Sequence, residues 1–237
     1  MGITVVSFDV WDTIFRLEAF NDVMVKEISS ATGMTQSEVR SNVSKTYVLL
    51  KDYRIKGMLR QDDIVNHCLE LGAQSIGVSE EVLKRSITKA VLNVDLERLL
   101  EKDAQYVIRK IFSQGKQITT LGNVIYWPGA YNRILIERAG LTRYLATQLY
   151  ADELRCSKPS KEMFTKICDI FDVEPENIVH IGDNRVEDYE GAIAFGSYGI
   201  WVNPSSKEKL HVDGMGATIN RINKVLDALK SFEKIVR

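Results

Sequence analysis

The sequence predicts an α/β protein: a parallel β-sheet covered by helices on both faces, with a small all-helical unit inserted after the first strand. Three observations carry this expectation. Short apolar, β-branched runs recur along the chain and alternate with segments of helical periodicity, the pattern that builds parallel sheets with right-handed crossovers. Three of those runs stop at a polar residue, Asp9, Asn123 or Asp183, where carboxyl tips of neighbouring strands would lie side by side. Between about Glu18 and Asn93 no comparable apolar run occurs, and the periodicity is helical throughout.

Ile3-Thr4-Val5-Val6-Ser7-Phe8 has the texture of a buried parallel strand. In the block that follows, Val23, Ile28 and Ala31 fit one helical face, ended by Gly33. Thr35 with Glu38 makes a capping box that opens the next helix, and Lys56-Gly57 breaks it. Ile64, Cys68 and Leu71 mark a third face closed by Gly72, and Ser79 caps a fourth helix carrying Val82, Leu83, Ile87 and Val91. These helices are expected to form a cap domain over residues 17–93, leaving 1–16 and 94–237 as the core.

The core resumes near Asp95. Tyr106, Ile108, Ile111 and Phe112 stripe a helix that stops at Gly115, and Gln117 to Leu121 reads as the second strand. Pro128 suits the first turn of a helix running to Gly140. Thr147 to Tyr150 is strand-like, and a helix spans about Ser160 to Phe171. Asn177 to Ile181 and Ile200 to Val202 supply two further strands, with a helix to Gly196 between them. An amphipathic helix over Ile219 to Ile235 closes the chain.

Composition sets mild bounds. A chain of 237 residues suits one or two domains with a substantial core. A formal net charge of -1 argues against nonspecific nucleic-acid binding, whose footprint is basic. Cys68, Cys156 and Cys168 are odd in number and lack CxxC spacing, so they read as reduced thiols. The first strand-like run has no basic n-region before it, and no apolar run approaches membrane-spanning length. The expectation is a soluble, cytoplasmic protein with no nucleic-acid or membrane partner; oligomeric state is left open.

Four segments far apart in sequence carry the chemistry: Phe8-Asp9-Val10-Trp11-Asp12-Thr13, Leu121-Gly122-Asn123, Ser157-Lys158-Pro159, and Ile181-Gly182-Asp183 with Asp188. At one sheet edge they would gather a carboxylate nucleophile, an acidic pair, an ammonium and a small polar donor around one anion. Their order and residue types resemble the haloacid dehalogenase superfamily of hydrolases, mostly phosphatases that react through an aspartyl-phosphate. Neither DxxDT nor GDxxxxD alone is specific, but four segments in this order and context are hard to reach by accident.

The resemblance implies a Rossmann-like core with a helical cap, magnesium as cofactor and a small phosphorylated substrate. It makes Asp9 the nucleophile, and it makes Asp9, the main-chain carbonyl of Trp11 and Asp183 the metal ligands. Asp188 becomes a partner of the metal through a water or through the groups that surround its ligands. Lys158 would pair with Asp9 and the phosphoryl oxygens, a point-charge role that suits a compact ammonium. Gly122 and Asn123 would contact phosphate.

Two departures bear on the reaction. The family's phosphatases carry a second Asp two positions after the nucleophile, as acid and base; here Trp11 stands there. Asp12 is the nearest substitute, although adjacent side chains in extended backbone point apart, which would turn it away. Where the family has Ser or Thr beside Asn123, this chain has Gly122. An aromatic at position 11 also fits the family's dehalogenases, which use no metal and lack the acidic pair; retention of Asp183 and Asp188 favours phosphorus chemistry. A phosphonate-cleaving relative and a weakly active member that binds phosphorylated ligands complete the alternatives. His67 and His180 read as structural; Tyr126 and Trp127 stand at the rim, where touching substrate and packing are equal expectations; Lys51, Arg54, Lys56 and Arg60 could present positive charge to a phosphate, with a solvated loop as the default.

Overall fold

The computed structural model describes residues 2–235. Strand β1 (Val5–Phe8), buried at every position, leads into four helices: α1 (Leu17–Thr32), α2 (Gln36–Ile55), α3 (Ile64–Ile76) and α4 (Glu80–Asn93). Short α5 (Leu96–Leu99) and α6 (Ala104–Ser113) return the chain to β2 (Gln117–Gly122), α7 (Gly129–Arg138) and β3 (Thr147–Tyr150). Next come α8 (Ala151–Leu154), α9 (Lys161–Phe171), β4 (Ile178–Gly182) and α10 (Gly191–Phe195). The chain closes with β5 (Tyr198–Val202), β6 (Leu210–Asp213), β7 (Gly216–Ile219) and α11 (Val225–Ile235).

The strands form one seven-stranded sheet in the order β3-β2-β1-β4-β5-β7-β6, parallel except for the edge strand β6. Phe8 of β1 registers with Thr120 on one side and Ile181 on the other. Chain order runs outward from β1 through β2 and β3 on one side and through β4 and β5 on the other, so the tip of β1 is the switch point where a crevice opens in such sheets.

Helices α1 to α4 pack on one another as a separate layer. Phe20, Met24, Val25 and Ile28 form the buried face of α1, and Gly33 ends it at φ 75°, a left-handed cap glycine adopts without a Cβ clash. The capping box of α2 is reciprocal: Thr35 N–H donates to Glu38 Oε2 at 2.9 Å, and Glu38 N–H to Thr35 Oγ1 at 3.3 Å. Ser79 caps α4 through the Val82 N–H.

Three sequence expectations need correction. Helix α3 runs through Gly72 to Ile76, because Gly72 is a close-packing glycine and no stop: a Cβ there would sit 3.2 Å from the Tyr126 ring. In α6 the buried face is Ala104, Val107, Ile108 and Ile111, which have helical spacing, while Tyr106 and Phe112 are exposed. The helix expected from Ile219 starts at Val225, since Ile219 ends a strand paired with β5. That strand and β6 form a hairpin with Gly214 at φ 57° in its loop. All three cysteines are free thiols. Among the described residues no helix is long and apolar enough to cross a membrane.

Candidate active site

The site forms where the tips of β1, β2 and β4 meet. Asp9 is the first residue beyond β1, and its N–H donates to the Ile181 carbonyl at 2.8 Å, tying it to β4. Asp183 follows β4 directly; its carbonyl accepts the Trp201 indole N–H at 2.8 Å. Asn123 follows β2, and Lys158 arrives on the loop between α8 and α9. The Lys158 ammonium, buried at 1% exposure, donates to Asp9 Oδ1 at 2.8 Å and to Asp188 Oδ1 at 2.6 Å. Asp9, Asp183 and Asp188 each offer a carboxylate oxygen, and those oxygens lie within 4.8 Å of one another.

Asp188 belongs to a π-helical turn, Arg185–Glu190, that buries both Glu187 and Asp188. Its Oδ2 accepts the Asn184 N–H at 2.9 Å. This carboxylate rests on the tip of β4 so closely that a Cβ at Gly182 would fall 2.1 Å from it, and only glycine fits there. Beneath it, His180 Nε2 lies 3.1 Å from Asp188 and His180 Nδ1 lies 2.9 Å from Ser7 Oγ. Both contacts are satisfied if Nε2 carries the proton and the serine hydroxyl donates to Nδ1.

Electrostatics divide the carboxylates. Burial pushes Asp9 up to about 6 against the pull of Lys158, and Asp188 adds to the rise. Burial, then the charges of Asp9 and Asp188, push Asp183 well above the usual range. Burial acts on Asp188 as well, but the Lys158 ammonium and the His180 hydrogen bond overcome it and hold this group well below that range. Burial and the Lys158 charge lower His180 to about 4, so its imidazole is neutral at pH 7. The result is a firm Lys158–Asp188 ion pair under two strained carboxylates that lack a full counter-charge.

The helical layer closes the opposite side. Tyr47, Lys51 and Arg54, spaced as one face of α2, line a cavity of about 30 Å³ with Asp9, Trp11 and Asp183. Arg54 is buried and forked onto Glu187, with Nε at 2.7 Å from Oε1 and Nη2 at 3.0 Å from Oε2, while its Nη1 donates to the Val124 carbonyl at 3.1 Å. The indole of Trp11 packs among Phe15, Phe20 and Trp127, with ring centroids 6.0, 5.1 and 5.3 Å away.

Asp9, Lys158, Asp183 and Asp188 thus converge as the sequence suggests, and Trp11 borders the same cavity. Asp12 does not face it: at φ 57° its Oδ1 accepts the Leu17 N–H at 3.0 Å and caps α1. The Asn123 side chain is occupied, its Oδ1 accepting the Lys158 N–H at 2.9 Å and its Nδ2 donating to the Lys158 carbonyl and to Glu187. At Gly122 a Cβ would meet the Tyr150 ring at 3.0 Å, so the glycine and the tyrosine come as a pair. His67 accepts the Arg60 N–H, a local structural bond. Arg54 departs from the solvated reading, and Glu187 and Tyr47 escape the sequence altogether. The available signal was the helical spacing of Tyr47, Lys51 and Arg54, with two cations and an aromatic on one face.

A family model for haloacid dehalogenase-like hydrolases matches residues 3–196, and the chain belongs to that family. Among solved structures it is similar to the HAD-hydrolase YfnB of Bacillus subtilis bound to magnesium, at 17% identity and a TM-score of 0.75, covering 97% of this chain and 99% of that one. A HAD phosphatase from Thermococcus onnurineus gives 19% identity and a TM-score of 0.65, with 97% and 98% covered. The L-2-haloacid dehalogenase of Xanthobacter autotrophicus with chloropropionic acid covalently bound gives 17% and 0.64, with 86% and 79% covered. At these identities the likeness is one of fold. No curated protein matches the sequence.

Proposed function

We propose that this hydrolase is a magnesium-dependent phosphatase acting on a small phosphorylated metabolite through an aspartyl-phosphate on Asp9. The observation that carries the reading is the carboxylate cluster of Asp9, Asp183 and Asp188, two of whose members are raised by burial and mutual repulsion. Such a donor set fits a hard divalent cation, which takes oxygen ligands. Asp9, Asp183 and the Trp11 carbonyl would hold the ion, with Asp188 behind a water. Magnesium supplies neutralisation of charge on the phosphoryl oxygens. The Bacillus subtilis relative bound to magnesium agrees with that choice.

In the reaction, an Asp9 oxygen attacks phosphorus and the bond to the leaving oxygen breaks. Lys158 holds the other Asp9 oxygen and balances negative charge from below. Water then cleaves the acyl-phosphate, releasing orthophosphate and restoring Asp9. Backbone groups at Gly122 and Asn123 complete the phosphate site. Residues 17–93 act as a cap over a core of 1–16 and 94–237, shielding the site from bulk solvent during transfer to Asp9 and admitting the water that cleaves the intermediate. Interdomain movement, described for the Bacillus subtilis relative, is the motion such a cap needs.

Trp11 favours one second reading, hydrolysis of a 2-haloacid, because halide departs without an acid. A single screen separates the two. Phosphorylated metabolites and 2-chloropropionate are assayed with and without magnesium, beside Asp9→Asn. Phosphate release that needs magnesium and is abolished in Asp9→Asn is the expected result. Chloride release without metal would replace the phosphatase reading.

A further inference from the structure

Two cationic side chains line the cavity, Arg54 and Lys51. Arg54 is fully engaged: each of its three nitrogens donates, two to Glu187 and one to the Val124 carbonyl. Lys158, the third cation nearby, is bound by Asp9 and Asp188. Lys51 has no carboxylate partner among the described residues; its ammonium sits 5.5 Å from the Tyr47 ring centroid, one helical turn away.

The core offers an anion few free donors in exchange. Gly122 has no hydroxyl, and Tyr150 fills the space where one would stand. The Asn123 amide is committed to the Lys158 loop and Glu187. Beside the backbone groups at Gly122 and Asn123, an incoming dianion therefore meets its uncompensated side-chain donor on α2.

We propose that Lys51 binds the anionic group of the substrate from the helical side of the cavity, supplying the side-chain contact that Gly122 and Asn123 do not. This rests on the phosphatase reading and deepens it. A charge-assisted hydrogen bond from an otherwise unpaired ammonium contributes in ground and transition states alike, so its loss falls on KM more than on kcat.

The test uses the full chain with magnesium and orthophosphate as the probe. Lys51→Met and Lys51→Arg are compared with Lys56→Met, whose lysine pairs with Asp52 at the exposed end of the same helix. Lys51→Met is expected to raise KM and the orthophosphate inhibition constant by about tenfold or more, the worth of one hydrogen bond to a charged group, with kcat nearly unchanged. Lys51→Arg should restore most of the affinity, and Lys56→Met should match wild type. Thermal stabilisation by orthophosphate should follow the same order. If wild type is stabilised by orthophosphate and Lys51→Met equally so, with KM unmoved, the role of Lys51 is overturned while the phosphatase reading stands. If wild type neither binds orthophosphate nor releases it from any ester, both are overturned.

Discussion

Trp11 occupies a position where an acid would be useful, and its surroundings say why an acid cannot simply be put back. The ring is 7% exposed and packed against Phe20 and Trp127. Trp11→Asp would empty an aromatic-sized volume and bury a carboxylate, so we expect it to destabilise by about 3–5 kcal/mol, read by chemical denaturation, with no gain in activity. Without that acid, leaving groups must depart as anions. Acyl and aryl phosphates should therefore turn over about 10²- to 10⁴-fold faster than alkyl phosphates, the span that general acid catalysis otherwise covers. A flat dependence on leaving-group pKa would show that another donor protonates the oxygen. Asp12 is not that donor, since it caps α1 through Leu17. Asp12→Ala should cost roughly 1 kcal/mol of stability and slow good and poor leaving groups alike. These motif residues were legible because strand tips announce themselves as apolar runs that stop. Tyr150 behind Gly122 was not, for nothing in a Leu-Gly-Asn string names the ring that crowds it.

At the scale of elements, the contact that matters most joins α2 to the π-helical turn after β4. Arg54 and Glu187 have side chains only 3% and 4% exposed. Removing one partner strands the other charge, so Arg54→Met is expected to cost about 3–5 kcal/mol, and Arg54→Met with Glu187→Met together much less. Equal losses in single and double variants would mean that packing, not charge, dominates there. Each residue lies in a polar run that reads as solvated; burial comes from a partner 133 positions away, which local periodicity cannot reveal. The hairpin of β6 and β7 was missed for a different reason. β6 is an edge strand with alternating partial burial and little apolar content, although Asp213-Gly214 was a usable turn signal. The inner strands were legible because parallel strands buried on both faces are written in continuous apolar runs.

For the whole molecule, the raised Asp9 and Asp183 link stability to pH and metal. In the metal-free protein Asp9 ionises near 6 instead of near its ordinary 3.8. As pH rises from about 4 to above 6 the unfolded chain loses that proton first, so this group's contribution to stability falls across the window and stays low above it. Asp183 acts in the same direction. A bound divalent cation removes the penalty but must displace any remaining protons. Magnesium should therefore raise the melting temperature more at pH 7.5 than at pH 5, measured by calorimetry; an equal rise at both would place the ion away from these carboxylates. The tryptophans carry a further consequence. The chain has three, and all sit at this site: Trp11 and Trp127 border the cavity, and the Trp201 indole is bonded to the Asp183 carbonyl. Intrinsic indole emission is thus an unlabelled optical readout of this one place, and a shift in its colour on adding ligand reports whether water has entered or left the crevice.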